Sequence, residues 1–479
     1  MGLLGMVVSF GLLIFLAYRG WSVLIMAPAA ALLAALASGE PLLANWTQTF
    51  MGSAAGFFAQ FFPIFLLGAL FGKLMEDTGS IAAISDYFTR RLGAERAILA
   101  VVVAGAIVTY GGVNLFVAFF FIAPMAQALF QAANIPKALM PATIWLGAAT
   151  FTFSALPGSP AVQNAIPMPH FGTTPFAAPG LGLIATAVMA CLGLLWLRHA
   201  EVAARRGGQG YVATAGAEAD AVRIRELAST REFDPAEIER GAMAEAIPPA
   251  WSAFLPLGVV VVVNFAMSLL ILPRLDFPFL AEPEWGSTSV AAVGGLWSVM
   301  VALIVAILVL LAVNGRRLPS LRDTMDAGLN ASVLPIVTVG SLAGFGAVLA
   351  SLPAASIISQ AILSLPGDPL VPLAVSTSLL AGMTGSASAA LTIVLDALGP
   401  TYAQMAELRG VSPDLLHRVA AISSGTLDTL PHSGALITLL SVCGVTHKES
   451  YRHIVMAGIL PSLAALIVVM VLGGLFGSF

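Results

Sequence analysis

Along this chain, long apolar runs alternate with short polar ones. Runs at 3–18, 21–38, 54–75, 178–197, 251–273, 288–313, 328–350 and 453–477 approach or exceed the roughly 20 residues a helix needs to cross the hydrocarbon core of a bilayer. Further runs are broken by Pro, Gly and Ser. The pattern predicts an all-α polytopic membrane protein, multi-pass in the cell (inner) membrane. The first run opens MGLLGMVVSF, with no basic segment ahead of it and no small-residue cleavage site after it, so it reads as a span and not as a signal peptide.

One interruption differs in kind. Residues 198–245 hold 7 Arg and 9 acidic residues and almost no large apolar ones, a composition that belongs in water as a flexible or partly helical linker. It divides the chain into a first unit at 1–197, a linker at 198–250 and a second unit at 251–479. Composition agrees: 479 residues, 58% hydrophobic and only 10% charged, far from a soluble core. The net charge of −4 calls for neither nucleic acid nor an acidic partner. With only Cys191 and Cys443, both in apolar runs, neither a disulfide framework nor a cysteine metal site is available.

The two units read as copies. Slid against itself so that Pro157 meets Pro431, the sequence brings Gly72 onto Gly346, Gly93 onto Gly367, Gly111 onto Gly385 and Ser159 onto Ser433, with an insertion in the second copy around GPTYAQMAELRG. Basic loops stay on the cytoplasmic side. Arg198, Arg205 and Arg206 put the linker inside; Arg316, Arg317 and Arg322 do the same for the next basic loop, and the acidic loop of Asp276, Glu282 and Glu284 falls outside. The N-terminus is then outside. The amphipathic stretch EDTGSIAAISDYFTRRLGAERA corresponds to LASLPAASIISQAILSLPGDPL, which has no Lys or Arg. Matching arms thus face opposite sides, the mark of inverted-topology repeats. Topology closes with about five full spans per half and one re-entrant hairpin in each, at 97–133 and 369–398, and leaves Arg274, Arg409 and Arg418 as the basic residues toward the outside.

Broken helices survive at membrane depth only when buried in protein or lining a wet cavity. Four such breaks are expected: the hairpin tips TYGGVN (109–114) and MTGSAS (383–388), and the interrupted spans LPGSPAVQN (156–164) and LPHSGALIT (430–438). A helix that starts after a Gly/Ser turn points free N–H groups and a positive dipole end into the break, which suits a carboxylate. Candidate substrate-binding residues are therefore Gly111, Gly112, Asn114, Ser159 and Asn164 from the first half, and Gly385, Ser386, Ser388, Ser433 and Thr438 from the second. Ser and Thr in spans also serve simply to satisfy backbone groups. Asp428 and His432 form the conspicuous titratable pair, candidates for proton coupling, and share a helix face if the helix is unbroken between them. Asp396, farther along a hairpin arm, reads as interfacial or structural. His170 and His199 read as loop residues, and no metal-binding, phosphate-loop or G-x-S-x-G motif occurs, so no cofactor and no metal are expected.

These residues resemble a known family. The stretches LMEDTGSIAAIS, GSASAALTIVLDALGP, LPGSPAVQNAIP and SGTLDTLPHSGALITL are similar to the gluconate permease family of proton symporters, within the wider ion transporter superfamily. The resemblance covers most of the chain outside the linker. It implies a homodimer with a scaffold and a mobile transport unit moving in an elevator-like manner, and inward co-transport of an organic anion with protons. It also implies that Gly111, Asn114, Gly385, Ser386 and Ser388 sit in substrate-contacting hairpin turns, and that His432 falls where gluconate permeases carry a histidine. The first tip reads GGVNLFV, without the Pro and acidic residue expected for gluconate, which points to short hydroxy- or keto-carboxylates such as 3-hydroxybutyrate.

The expected function is proton-coupled symport of a small organic carboxylate across the bilayer. The alternatives are a sodium-coupled carrier of larger anions such as citrate, a passive channel, and a membrane-embedded acyl or lipid enzyme using His432 as base and Ser433 or Ser159 as nucleophile. The duplicated breaks argue against the enzyme, because an active site has no use for both copies on opposed topologies.

Overall fold

A computed structural model describes residues 2–18, 21–113, 115–211, 244, 246–364, 368–431 and 433–479. Among these residues the chain forms helices and turns and no strand, as expected where hydrocarbon leaves the backbone only intrahelical partners. Six helices among them are long and apolar enough to cross a membrane: Leu42–Asp77, Pro179–Arg206, Ala250–Arg274, Val290–Arg317, Leu321–Ser351 and His447–Phe476. The first two apolar runs form the shorter helices Gly2–Tyr18 and Val23–Ala37, packed against one another.

The same order of elements occurs twice. A long helix, Leu42–Asp77, leads into a short amphipathic helix, Ser80–Leu92, then a hairpin with arms Ala97–Tyr110 and Leu115–Ala132. A broken segment spanning 140–171 follows, and then the Pro179–Arg206 helix. In the second half Leu321–Ser351 leads into Pro353–Ser364, a hairpin with arms Leu370–Thr384 and Ala387–Arg409, a broken segment of Pro413–Leu427 and Gly434–Val442, and His447–Phe476. The two long helices that open these series pack extensively on each other. Small residues let them approach: a Cβ added at Gly344 would lie 2.7 Å from the Phe50 carbonyl oxygen, as at other close helix crossings in membranes.

The hairpins reverse at glycines in the left-handed region, Gly112 at φ 98° and Gly385 at φ 68°, a conformation that costs an L-residue about 1–2 kcal/mol. The second return arm runs beyond the expected end at 398 and stops at Arg409, before Gly410 at φ 69°. Its extra sequence, AQMAEL, is made of strong helix formers, so the insertion lengthens the arm instead of looping out. In the first broken segment, Pro157 and Pro160 lack an N–H and Gly158 sits at φ 78°; helix cannot continue through them and resumes at Val162. The second breaks after Leu427 and resumes at Gly434.

The Pro179–Arg206 helix extends past the expected unit boundary at 197, ending at Arg206, where Arg205 pairs with Glu201 at 2.7 Å and donates to the Ala133 carbonyl. The rest of the linker at 212–243, and residue 245, lie outside the described residues. One large apolar core joins residues from both halves, and a smaller cluster packs the first two helices onto the Leu321–Ser351 helix.

Candidate functional site

The hairpin tips and helix breaks converge. A cavity of about 180 Å³ is lined by Thr109, Gly112 and Val113 at the first tip, Gly385, Ser386 and Ser388 at the second, Pro160 to Gln163 at the first break, and Asp428, Ser433 and Ala435 at the second. Three helices begin at its wall: Leu115, Ala387 and Ala435 all line it, in the first turns of Leu115–Ala132, Ala387–Arg409 and Gly434–Val442. A helix N-terminus carries N–H groups without intrahelical partners and roughly half a positive charge. The opposite wall is apolar: Ile64 and Phe65 from Leu42–Asp77, Leu303 from Val290–Arg317 and Val339 from Leu321–Ser351. The volume falls below the roughly 300 Å³ at the small end of pockets for drug-sized ligands, so it accommodates a solute of a few heavy atoms.

The expected residues divide. Gly112, Gly385, Ser386, Ser388, Ser433 and Asp428 line the cavity. Ser386 caps its helix by accepting from Ala389 N, and its hydroxyl lies 3.3 Å from that of Ser388. Gly111, Ser159, Asn164 and Thr438 do not line it. Gly111 faces Leu257, which a Cβ would overlap at 2.2 Å. Ser159 accepts from Ala161 N across the break, and Thr438 returns its hydroxyl to the Gly434 carbonyl at 2.9 Å. Asn114 and His432 lie outside the described residues. The helix carrying Asp428 ends at Leu427 with Asp428 as its cap, so the continuous helix that would place Asp428 and residue 432 on one face is not formed. Asp428 is half-buried and accepts from Thr429 Oγ1 at 3.0 Å.

Gln163 escaped the sequence reading. It lines the cavity with its side-chain oxygen buried and without a hydrogen-bond partner, while its neighbour Asn164 points the other way. Asn164 Nδ2 donates to the carbonyls of Ser159 and Pro175, at 2.9 and 3.0 Å, and its Oδ1 lies 3.0 Å from His417 Nε2. That network continues into Arg418, which sequence reading placed toward the outside. Arg418 is fully buried, and its guanidinium donates to the Ala177 and Ala155 carbonyls. Tyr110 donates to the Pro157 carbonyl at 2.7 Å and Asn264 to that of Gly158 at 2.9 Å. The carbonyls that the first break frees are thus taken up by side chains from four different helical segments. Three of the four donors, Tyr110, Asn264 and Arg418, come from distant parts of the chain, so the local sequence does not announce them.

A second buried polar cluster lies on the same long helix, beyond the cavity. Lys73 Nζ sits 3.2 Å from Glu76 and 3.0 Å from Asp77, Thr324 donates to Asp77 Oδ2 at 2.7 Å, and Ala244 N donates to the Asp77 carbonyl at 2.8 Å. The LMEDTGS stretch therefore ties the two long helices and the end of the linker together instead of lining the cavity.

A multi-pass helical fold with helix breaks gathered around an internal cavity defines a membrane transporter, and the relatives place it further. The chain matches the model of the GntP family permeases over residues 1–215. It is 40% identical to the uncharacterized transporter YxjC of Bacillus subtilis (strain 168) over 461 residues, 95% of each chain. It is 27% identical to the inner membrane permease YgbN of Escherichia coli (strain K12) over 371 residues, 75% of this chain and 74% of that one. The chain belongs to the GntP permease family, whose members are transporters and not enzymes. In fold it is similar to the Alcanivorax borkumensis YdaH transporter, described as having an unusual topology, with a TM-score of 0.57 and 20% identity over 91% of this chain and 88% of that one. The Neisseria gonorrhoeae protein MtrF, described among antimetabolite efflux pumps, matches with a TM-score of 0.54 and 17% identity over 89% and 84%.

Proposed function

We propose that this protein is a secondary-active symporter that carries a small organic carboxylate, a hydroxy- or keto-acid of the size of 3-hydroxybutyrate, together with protons across the inner membrane. The observation that carries the reading is the meeting of three helix N-termini on a cavity whose polar side chains are neutral hydroxyls and an amide, with one carboxyl, Asp428. Positive helix ends attract an anion, the hydroxyls of Ser386, Ser388 and Ser433 and the Gln163 amide orient it, and Asp428 with His432 takes up the coupling proton. Substrate and proton together neutralise the site, which lowers the cost of carrying it past the apolar wall of the long helices.

Inverted repeats, an elevator-type movement of hairpins and broken segments along a scaffold of long helices, and a homodimer belong to the same reading. It is supported by the doubled order of elements and by the contrast between the polar tips and the apolar wall. Residues 1–197 and 251–479 are the repeats, the N-terminus is outside and the 198–250 linker is cytoplasmic. No cofactor enters the cycle. The sodium-coupled alternative, with a larger anion such as citrate, draws on the paired hydroxyls of the second tip, but the small cavity favours the shorter acid.

The test is counterflow and concentrative uptake of labelled 3-hydroxybutyrate in proteoliposomes, with pH and sodium gradients imposed separately. Uptake that follows the proton gradient is expected. Uptake that follows sodium and ignores the proton gradient would reverse the coupling assignment.

A further inference from the structure

Away from the cavity, one titratable pair bridges the two halves of the chain. His170 lies in the helix Pro167–Phe171 just after the first break, not in a loop, and Asp396 lies on the return arm of the second hairpin. His170 Nε2 stands 3.5 Å from Asp396 Oδ1, with the side chains 22% and 20% exposed. The other carboxyl oxygen, Asp396 Oδ2, is buried with no hydrogen-bond partner. A buried carboxyl oxygen without a donor is costly as part of an anion and inexpensive as part of a neutral acid.

Among the described residues, the surroundings offer that carboxyl no fixed cation. Val290–Arg317 and Leu321–Ser351 carry charge only toward their cytoplasmic ends, at Arg316, Arg317, Arg322, Asp323 and Asp326, whereas Asp396 meets the latter helix at Gly346. The helices Leu370–Thr384, Pro353–Ser364 and Val162–Ala165 contain no charged residue. On Pro413–Leu427, His417 is held by Thr173 and Asn164, Arg418 is held by backbone carbonyls, and Asp414 sits in the first turn. Tyr402, on the arm itself, bonds Ser376 and the Pro372 carbonyl. Both side chains keep some contact with solvent, and a surface depression of about 540 Å³, lined by Gly172, Thr174 and Asp276, begins two residues past His170.

We propose that His170 and Asp396 form a second protonation site, about three helical turns (roughly 15 Å) along the arm from Ser386, whose proton clasps the second hairpin to the first broken segment. With the proton bound, the carboxylic acid and the neutral imidazole share a hydrogen bond between the halves. When the proton leaves to water, the imidazole reaches only Oδ1 and Oδ2 becomes a buried anionic oxygen without a donor; hydrating it opens the contact and the clasp loosens. The inference deepens the transport reading by assigning a gate to the hairpin, but the site exists whichever ion drives transport.

Infrared difference spectra of the reconstituted full-length protein, titrated between about pH 5 and 9, test the site. A protonated-carboxyl band that vanishes as pH rises is expected in wild type and in Asp428→Asn, and is expected to be missing in Asp396→Asn. In His170→Gln it remains with its midpoint moved by at least threefold in proton concentration. Hydrogen exchange of the Ala387–Arg409 arm, corrected for intrinsic rates, is expected to rise several-fold at high pH in wild type and to stay flat in Asp396→Asn. A band unchanged in Asp396→Asn, or the same pH-dependent exchange in both proteins, would overturn the proposal. Both measurements need no substrate, so a failure of proton symport, read in the gradient experiment, is distinguishable from a failure of the clasp.

Discussion

The two helix breaks occupy matching places in the order of elements, yet the molecule treats them differently. At the first, the carbonyls of Ala155, Pro157, Gly158 and Ser159 are each taken by a side chain: Arg418, Tyr110, Asn264 and Asn164. At the second, the Pro431 carbonyl pairs with His447 at 2.8 Å, Ser433 N donates to Leu430 O, and Asp428 faces the cavity. A break in hydrocarbon must satisfy its backbone groups one way or another. The first does so with side-chain donors, three of them from distant parts of the chain; the second uses one local backbone bond and one donor from the following helix, and turns a carboxyl toward the cavity. Matching sequence motifs are thus handled unalike: side chains brace one break, while the other exposes a carboxyl to the cavity.

That contrast can be broken most forcefully at Arg418. Arg418→Met strips donors from the buried Ala155 and Ala177 carbonyls, each worth about 1–3 kcal/mol when left unpaired, so the thermal midpoint of detergent-purified protein should collapse, while Asp428→Asn leaves it nearly unchanged. In transport the order reverses: Asp428→Asn should lower pH-gradient-driven uptake of 3-hydroxybutyrate about tenfold or more, close to 1.4 kcal/mol or above, and largely spare counterflow. The neighbouring pair sharpens the point. Gln163→Ala should raise the apparent KM roughly fivefold, near 1 kcal/mol, at unchanged stability, whereas Asn164→Ala should cost stability at unchanged KM in whatever protein folds. Smallest is Tyr110→Phe, which removes one hydrogen bond to the first break and should destabilise by about 1 kcal/mol, read as a modest shift in melting temperature.

The breaks themselves were legible because Pro, Gly and Ser clustered inside an apolar run take away backbone donors and add backbone freedom together, and a helix does not continue through both. Both hairpins were found where the polar tips placed them. Choosing among adjacent polar residues was not legible. Successive helical positions point about 100° apart, so whether Gln163 or Asn164 faces the cavity depends on how the segment docks, which the local pattern does not encode. The burial of Arg418 was not legible for a related reason: the sequence only counts it among the few basic residues toward the outside, and the fold alone brings the Ala155 and Ala177 carbonyls to it. Thr438, in register with Asn164 of the first copy, bonds within its own helix instead.

Substrate protection of introduced cysteines reads the anion site itself. In a background lacking Cys191 and Cys443, single cysteines at Thr109, Ser386 and Ser433 should react with a small maleimide more slowly when 3-hydroxybutyrate is present, and a cysteine at Thr438 should be unaffected. Protection at Thr438 alone, or equal reactivity with and without a transported acid at all three cavity positions, would contradict a single anion site built from both hairpin tips and the second break.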